Sequence, residues 1–228
     1  MVGENLPITL NVPLFPLPRV VLFPAVRLPF YVFEQRYRAM LRDVLDGAGL
    51  IGVPQVLPGF EASSTGSTPF AQVFGVGEVV DYVTHGDGTS HIEVVGVHRV
   101  RFMEETTANI YRSARVEVLD EPDASSEAAG ELHQRLASAV RALLPLVVPP
   151  DGQESMERIL SEVPASLPAL VNTLATVLVA DARVRQTLME TEGVAPRASQ
   201  LANMLDDIRH SLLERAAMDA PEEPGNET

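Results

Sequence analysis

The sequence predicts an α+β fold, with a small N-terminal β-barrel carrying one packed helix and a C-terminal α-helical bundle after it. Three observations predict it. Residues 14–45 pass from proline-broken apolar runs into a single amphipathic helical pattern. Two strand-rich runs, residues 70–84 and 90–102, meet across His85-Gly86-Asp87-Gly88. Beyond residue 122 the apolar spacing is helical throughout.

Taken in order, Ile8, Leu10 and Val12 alternate into a first strand. Pro16, Pro18, Pro24 and Pro29 then keep the chain extended or turning, because proline lacks an N–H and restricts the residue before it. Val20-Val21-Leu22-Phe23 reads as a short buried strand stopped by Pro24. From Phe33 the period changes: Phe33, Tyr37, Met40, Leu41 and Val44 share one helical face, Glu34, Arg38 and Arg42 the opposite one, and Gly47 is the expected stop. Leu50-Ile51-Gly52-Val53 is the next buried strand, and residues 57–69 form a polar Gly/Ser/Thr/Pro loop.

The Asp-Gly pair between residues 84 and 90 is a hairpin signal. Gly75, Gly77 and Gly96 lie inside the two flanking strands, where bulges or tight curvature would close a small barrel. Residues 111–119 make a last strand with Ala114, Val116 and Val118 inward. An acidic, small-residue stretch at 119–130 then puts a boundary near 122. This divides the chain into a barrel (1–121), a bundle (122–218) and a disordered acidic tail (219–228). The expected helices cover 131–146, 156–163, 167–180 (apolar nearly all round, hence most buried), 182–192 with Asp181 as N-cap and Gly193 as stop, and a last one with Pro196 in its first turn.

These residues carry a family resemblance. LFPLP, LFP and FEQRYRAM in fixed order over residues 12–40 resemble the opening of the Lon N-terminal (substrate-binding, PUA-like) domain, which fronts ATP-dependent Lon proteases and also occurs as free-standing bacterial proteins. FGVGEVVDYV and EVVGVHRVRF are similar to its glycine-bearing strand and its VxGxxRxRI strand. RQTLMETEGVAPRASQLANML resembles RQxLLExxxxxxRLxxL in its bundle. Gln35 stands where proline is frequent, and Val100 where an aromatic is common. The resemblance implies a PUA-like barrel and a non-catalytic module that captures unfolded or extended polypeptide segments, as an adaptor in protein quality control with a protease or chaperone as partner. Binding would use an apolar groove between barrel and bundle, or strand addition at a barrel edge.

Composition narrows the chemistry. There is no cysteine and no lysine, which removes disulfides, thiolate catalysis, Schiff-base chemistry, a phosphate-loop lysine and a Ser–Lys dyad. Without a GxxxxGK loop either, neither ATPase nor protease activity is expected. A formal charge of −14 disfavours nucleic acid and anionic membrane. The alternative reading, an RNA- or small-ligand-binding PUA-like protein, therefore has charge against its RNA branch. No apolar run has the ~20 residues of a membrane span and no basic leader opens the chain, so the expected location is cytoplasmic. A homodimer through an exposed barrel edge or through the bundle is compatible with the sequence, with no specific residue pattern for either.

No cofactor is expected, and no metal. His91 and His98 are an odd number apart along one strand, and His85 lies in the turn. Asp81, Glu93 and Glu78 could meet across the hairpin but read as a solvated face. Ser63, Ser64 and Ser67 have no base near in sequence. The candidate binding residues are Arg36 and Tyr37, from the family motif, and Phe15, Phe23 and Phe60, aromatics near prolines that could stay exposed. Against this, Arg36 suits orienting the helix on the barrel, Tyr37 lies on the apolar stripe, and each phenylalanine taken singly is more often core. Arg36 has Glu34 or Glu93 as its expected carboxylate partner.

Overall fold

The computed structural model describes residues 7–60, 68–106, 110–119, 126–149, 152 and 166–218. The expected helix at 156–163, the acidic tail and the serines of the 57–69 loop fall outside them. The strands are β1 (Thr9–Pro13), β2 (Arg27–Val32), β3 (Leu50–Val53), β4 (Val73–Thr84), β5 (Ser90–Thr106) and β6 (Ser113–Val118), with helix α1 (Gln35–Asp46) between β2 and β3. Helices α2 (Ser126–Val147), α3 (Leu167–Leu178), α4 (Ala182–Glu190) and α5 (Val194–Met218) follow. Among the described residues no helix is long and apolar enough to cross a membrane.

The sheet runs β1-β6-β5-β4-β3, antiparallel throughout. Its ends meet through isolated parallel bridges, Leu14 with Gly52 and Leu17 with Gln55, so it rolls into a barrel. Two clusters fill the inside. Leu22, Tyr37, Met40, Ile51 and Val94 lie under α1, and Leu14, Phe74, Val76, Val100 and Val116 occupy the other end.

The segment at 20–23 is not a strand. It keeps a strand's alternation, Leu22 joining the barrel core while Val21 and Phe23 join the bundle core, but it lies across the sheet instead of in a ladder. Glycines make the crossing possible: a Cβ at Gly75 would collide with the Leu22 carbonyl, and one at Gly96 with that of Phe23. Ala25 N–H donates to Gly96 O and Gly96 N–H to Val26 O, at 2.8 and 2.9 Å. A tight turn, Val26 N–H to Phe23 O, places Ala25 at φ 64° and ends the run.

β2 is the strand that the proline pattern concealed. It pairs with the first half of β5 alone, Pro29 standing opposite Glu93. A strand laddered on one side can accommodate a residue with no N–H. α1 begins two residues later than its apolar period suggests. Phe33 lies before it, 58 % exposed, and Tyr37, Met40, Leu41 and Val44 form the buried face.

The bundle follows its stripes. Leu136, Ala139, Val140 and Leu143 of α2 are buried, as are Leu170, Val171, Leu174 and Ala175 of α3. The Asp181 carboxylate accepts the Arg183 N–H at 2.8 Å, capping α4. Gly193, at φ 79°, makes the turn into α5. Val21, Phe23, Val26 and Val73 from the barrel side belong to the same apolar cluster as these helices, so barrel and bundle share one core.

Candidate functional site

Of the five candidate residues, Arg36, Tyr37 and Phe15 meet, while Phe23 belongs to the bundle core and Phe60 is exposed. Arg36 grips Glu34 through Nε and Nη2 at 2.9 and 2.8 Å, one of its two expected partners, and its guanidinium lies 4.5 Å from the centre of the Tyr37 ring. It thereby fixes the entry to α1. Tyr37 is buried and meets Phe15 edge-on at 4.7 Å; burial raises its hydroxyl pKa above the usual value, with Arg36 pulling the other way. Phe15 and Phe23 are also interior, the commoner place for each such aromatic, although their positions near prolines could have left them exposed. The extended segment turns them into the barrel and bundle cores respectively. Phe60 is the one exposed ring among the four aromatic candidates, at 47 %.

An exposed aromatic surface does exist, built from other residues. Tyr31 of β2 stacks on Phe33 at 5.8 Å and contacts His91 of β5 at 4.7 Å. Register aligns Tyr31, His91 and Val83 in one row across β2, β5 and β4. Val83 and its neighbour Tyr82 are each more than half exposed. His85 Nε2 and His91 Nδ1 share a hydrogen bond of 2.8 Å, and Arg27 pairs with Glu93 at 2.7 Å beside the row. The alternation of Leu28, Phe30 and Val32 against Arg27, Pro29 and Tyr31 was the available signal; reading Pro29 purely as a break hid it.

The arginines of the VxGxxRxRI stretch work at the junction of barrel and bundle. Arg99 is buried. Its Nε donates to Met189 O at 3.0 Å and its Nη2 to Thr191 O at 2.9 Å, engaging carbonyls at the C-terminal end of α4. Arg101 reaches Glu192 at 2.8 Å. Gln186 donates to Val73 O at 2.8 Å, and Asn172 of α3 to Pro24 O at 3.2 Å. The fold needs these residues and the sequence reading did not single them out, because no periodicity links a strand side chain to a helix end about 90 positions later.

Asp81 and Glu93 face each other across the ladder, but Glu93 is held by Arg27 and Asp81 accepts the Tyr82 N–H. No group of three or more His, Asp or Glu among the described residues could hold a metal ion. His98 is exposed and lies seven positions along β5 from His91. Asp87, in the hairpin turn, has its carboxyl held below the ordinary range by hydrogen bonds from the Thr89 N–H and hydroxyl.

Comparison with known proteins places this architecture. The fold resembles the N-terminal domain of Mycobacterium avium complex Lon protease, with a TM-score of 0.68 at 16% identity over 86% of this chain and 98% of that one. It also resembles a Lon N-terminal domain protein from Xanthomonas campestris, with a TM-score of 0.59 at 21% identity over 84% and 96%. In sequence, the Lon protease of Cytophaga hutchinsonii is 26% identical over 211 residues, which is 89% of this chain and 25% of that protein. Lon protease 2 of Syntrophobacter fumaroxidans is 31% identical over 123 residues, 54% of this chain and 15% of that protein. The chain thus spans about a quarter or less of these relatives. Residues 11–207 match the model of the ATP-dependent protease La (LON) substrate-binding domain, and the chain belongs to that family.

Proposed function

We propose that this protein is a non-catalytic polypeptide-binding module that recognises unfolded or extended segments and hands them to a protease or chaperone. The observation that carries the reading is the Tyr31–Phe33–Val83 surface beside β2, a strand with no second partner among the described strands. An extended segment can add its backbone to such an edge, and exposed aromatic rings bind alternate apolar side chains. Family membership supports the same conclusion, since the matching model is described as substrate-binding.

Fluorescence anisotropy with a labelled casein-like unfolded polypeptide tests it. The full chain should bind saturably, and the double variant Tyr31→Ala/Phe33→Ala should weaken binding by about tenfold or more, while Tm stays within ~2 °C because both residues are roughly half exposed and neither belongs to a core cluster. Absence of binding, or equal binding by the variant, removes the proposal.

A further inference from the structure

A crevice of about 350 Å³ lies where the barrel meets the N-terminal end of α4. Its charged lining among the described residues comprises Arg19, Arg183 and Arg185 against one carboxylate, Asp181, which is already engaged as the cap of α4. In a chain whose formal charge is −14, three arginines around one small volume form a local excess of positive charge. None of the three forms an ion pair with a carboxylate among the described residues.

Arg185 is half-buried in the wall of the crevice, whereas Arg19 and Arg183 are exposed at its rim. Arg185 spends one Nη2 donor on the carbonyl of Arg19 at 3.2 Å, while its Nε is buried with no hydrogen-bond partner. Arg19 itself sits at φ 60°, a conformation unfavourable for a side-chain-bearing residue. Val56 and Pro58 add an apolar wall, and buried Gln55 also lines the space. A volume of this size suits a small ligand, and arginine forks select planar or tetrahedral oxyanions.

We infer that this crevice is a binding site for an oxyanion, a carboxylate or phosphate group, held by Arg19, Arg183 and Arg185. The group could be carried by a small molecule or by the end of a polypeptide; the chemistry read is the same. The site is distinct from the Tyr31–Phe33 surface and does not depend on it.

Isothermal titration calorimetry on the full chain, at ionic strength fixed with chloride, separates the sources. The probes are inorganic phosphate, citrate, and one apolar pentapeptide with either a free or an amidated C-terminus. At least one anionic probe should bind saturably. Arg183→Gln and Arg185→Gln should each weaken it by about tenfold or more, and Tyr31→Ala/Phe33→Ala should leave it unchanged. Preference for the free over the amidated peptide assigns the site to a chain terminus; preference for phosphate or citrate assigns it to a small molecule. As a control, Arg42→Gln alters a second cavity of about 440 Å³, between α1 and the β4–β5 hairpin, and should have no effect. No saturable binding by any probe, undiminished binding by the Arg183 and Arg185 variants, or an equal loss with Arg42→Gln would each overturn the assignment.

Discussion

Arg99 shows how much one side chain can hold together. It leaves a barrel strand, is buried, and satisfies carbonyls of Met189 and Thr191 at the end of α4. Arg99→Ala strands those acceptors and opens a void, and should cost about 2–4 kcal/mol, read as a lower urea midpoint with the slope unchanged. Arg99→Lys should recover only part of this, because an ammonium cannot reproduce the fork. Tyr37 gives a pH signature. Its folded pKa is raised, chiefly by burial, so the folded state holds the proton more tightly than the unfolded chain. That stabilisation is fully present below the unfolded value of ~10 and is lost as pH rises through the folded value. Melting curves should therefore show an alkaline decline that Tyr37→Phe reduces. The burial of Tyr37 was legible in its helical spacing. The role of Arg99 was not, since the family motif marks the position without saying what it touches.

The segment at 20–26 decides how the elements fit. It reads as a strand because its side chains alternate, and that alternation is real; only the ladder is missing, since Gly75 and Gly96 let its backbone pass over β4 and β5. Gly96→Ala should therefore cost about 3 kcal/mol by overpacking against the Phe23 carbonyl. Ala25→Gly should do the reverse. Relief of the left-handed conformation at φ 64° outweighs the added freedom of the unfolded chain, so stability should rise by about 0.5–1 kcal/mol in a thermal melt. The sequence made the regular helices and the β4–β5 hairpin readable, because period and turn chemistry are local. It concealed β2, whose Pro29 is compatible with a strand only when one edge lacks a partner, a fact of topology. The exposed surface at Tyr31 and Phe33 stayed hidden with it.

At the scale of the molecule, barrel and bundle are joined by a common apolar cluster, by Arg99 and by Gln186. A division near residue 122 would leave Val21, Phe23, Val26 and Val73 without their cover. Calorimetry of the full chain should accordingly show one unfolding transition, and a chain cut after residue 121 should aggregate or bind hydrophobic dye. The barrel itself is less uniform. Neighbouring strands in the sheet order are joined by ladders, that of β4 with β5 shifting register between Val76 and Gly77 and between Val79 and Asp81. The residues just after β1 instead meet β3 and the residues following it through two isolated bridges and a few bonds, such as Phe15 N–H to Gly52 O and Leu17 N–H to Pro54 O. Deuterium should therefore enter the backbone amides of Phe15 and Leu17 well before those of Val76 or Val94, making this join the place where the cylinder first comes undone.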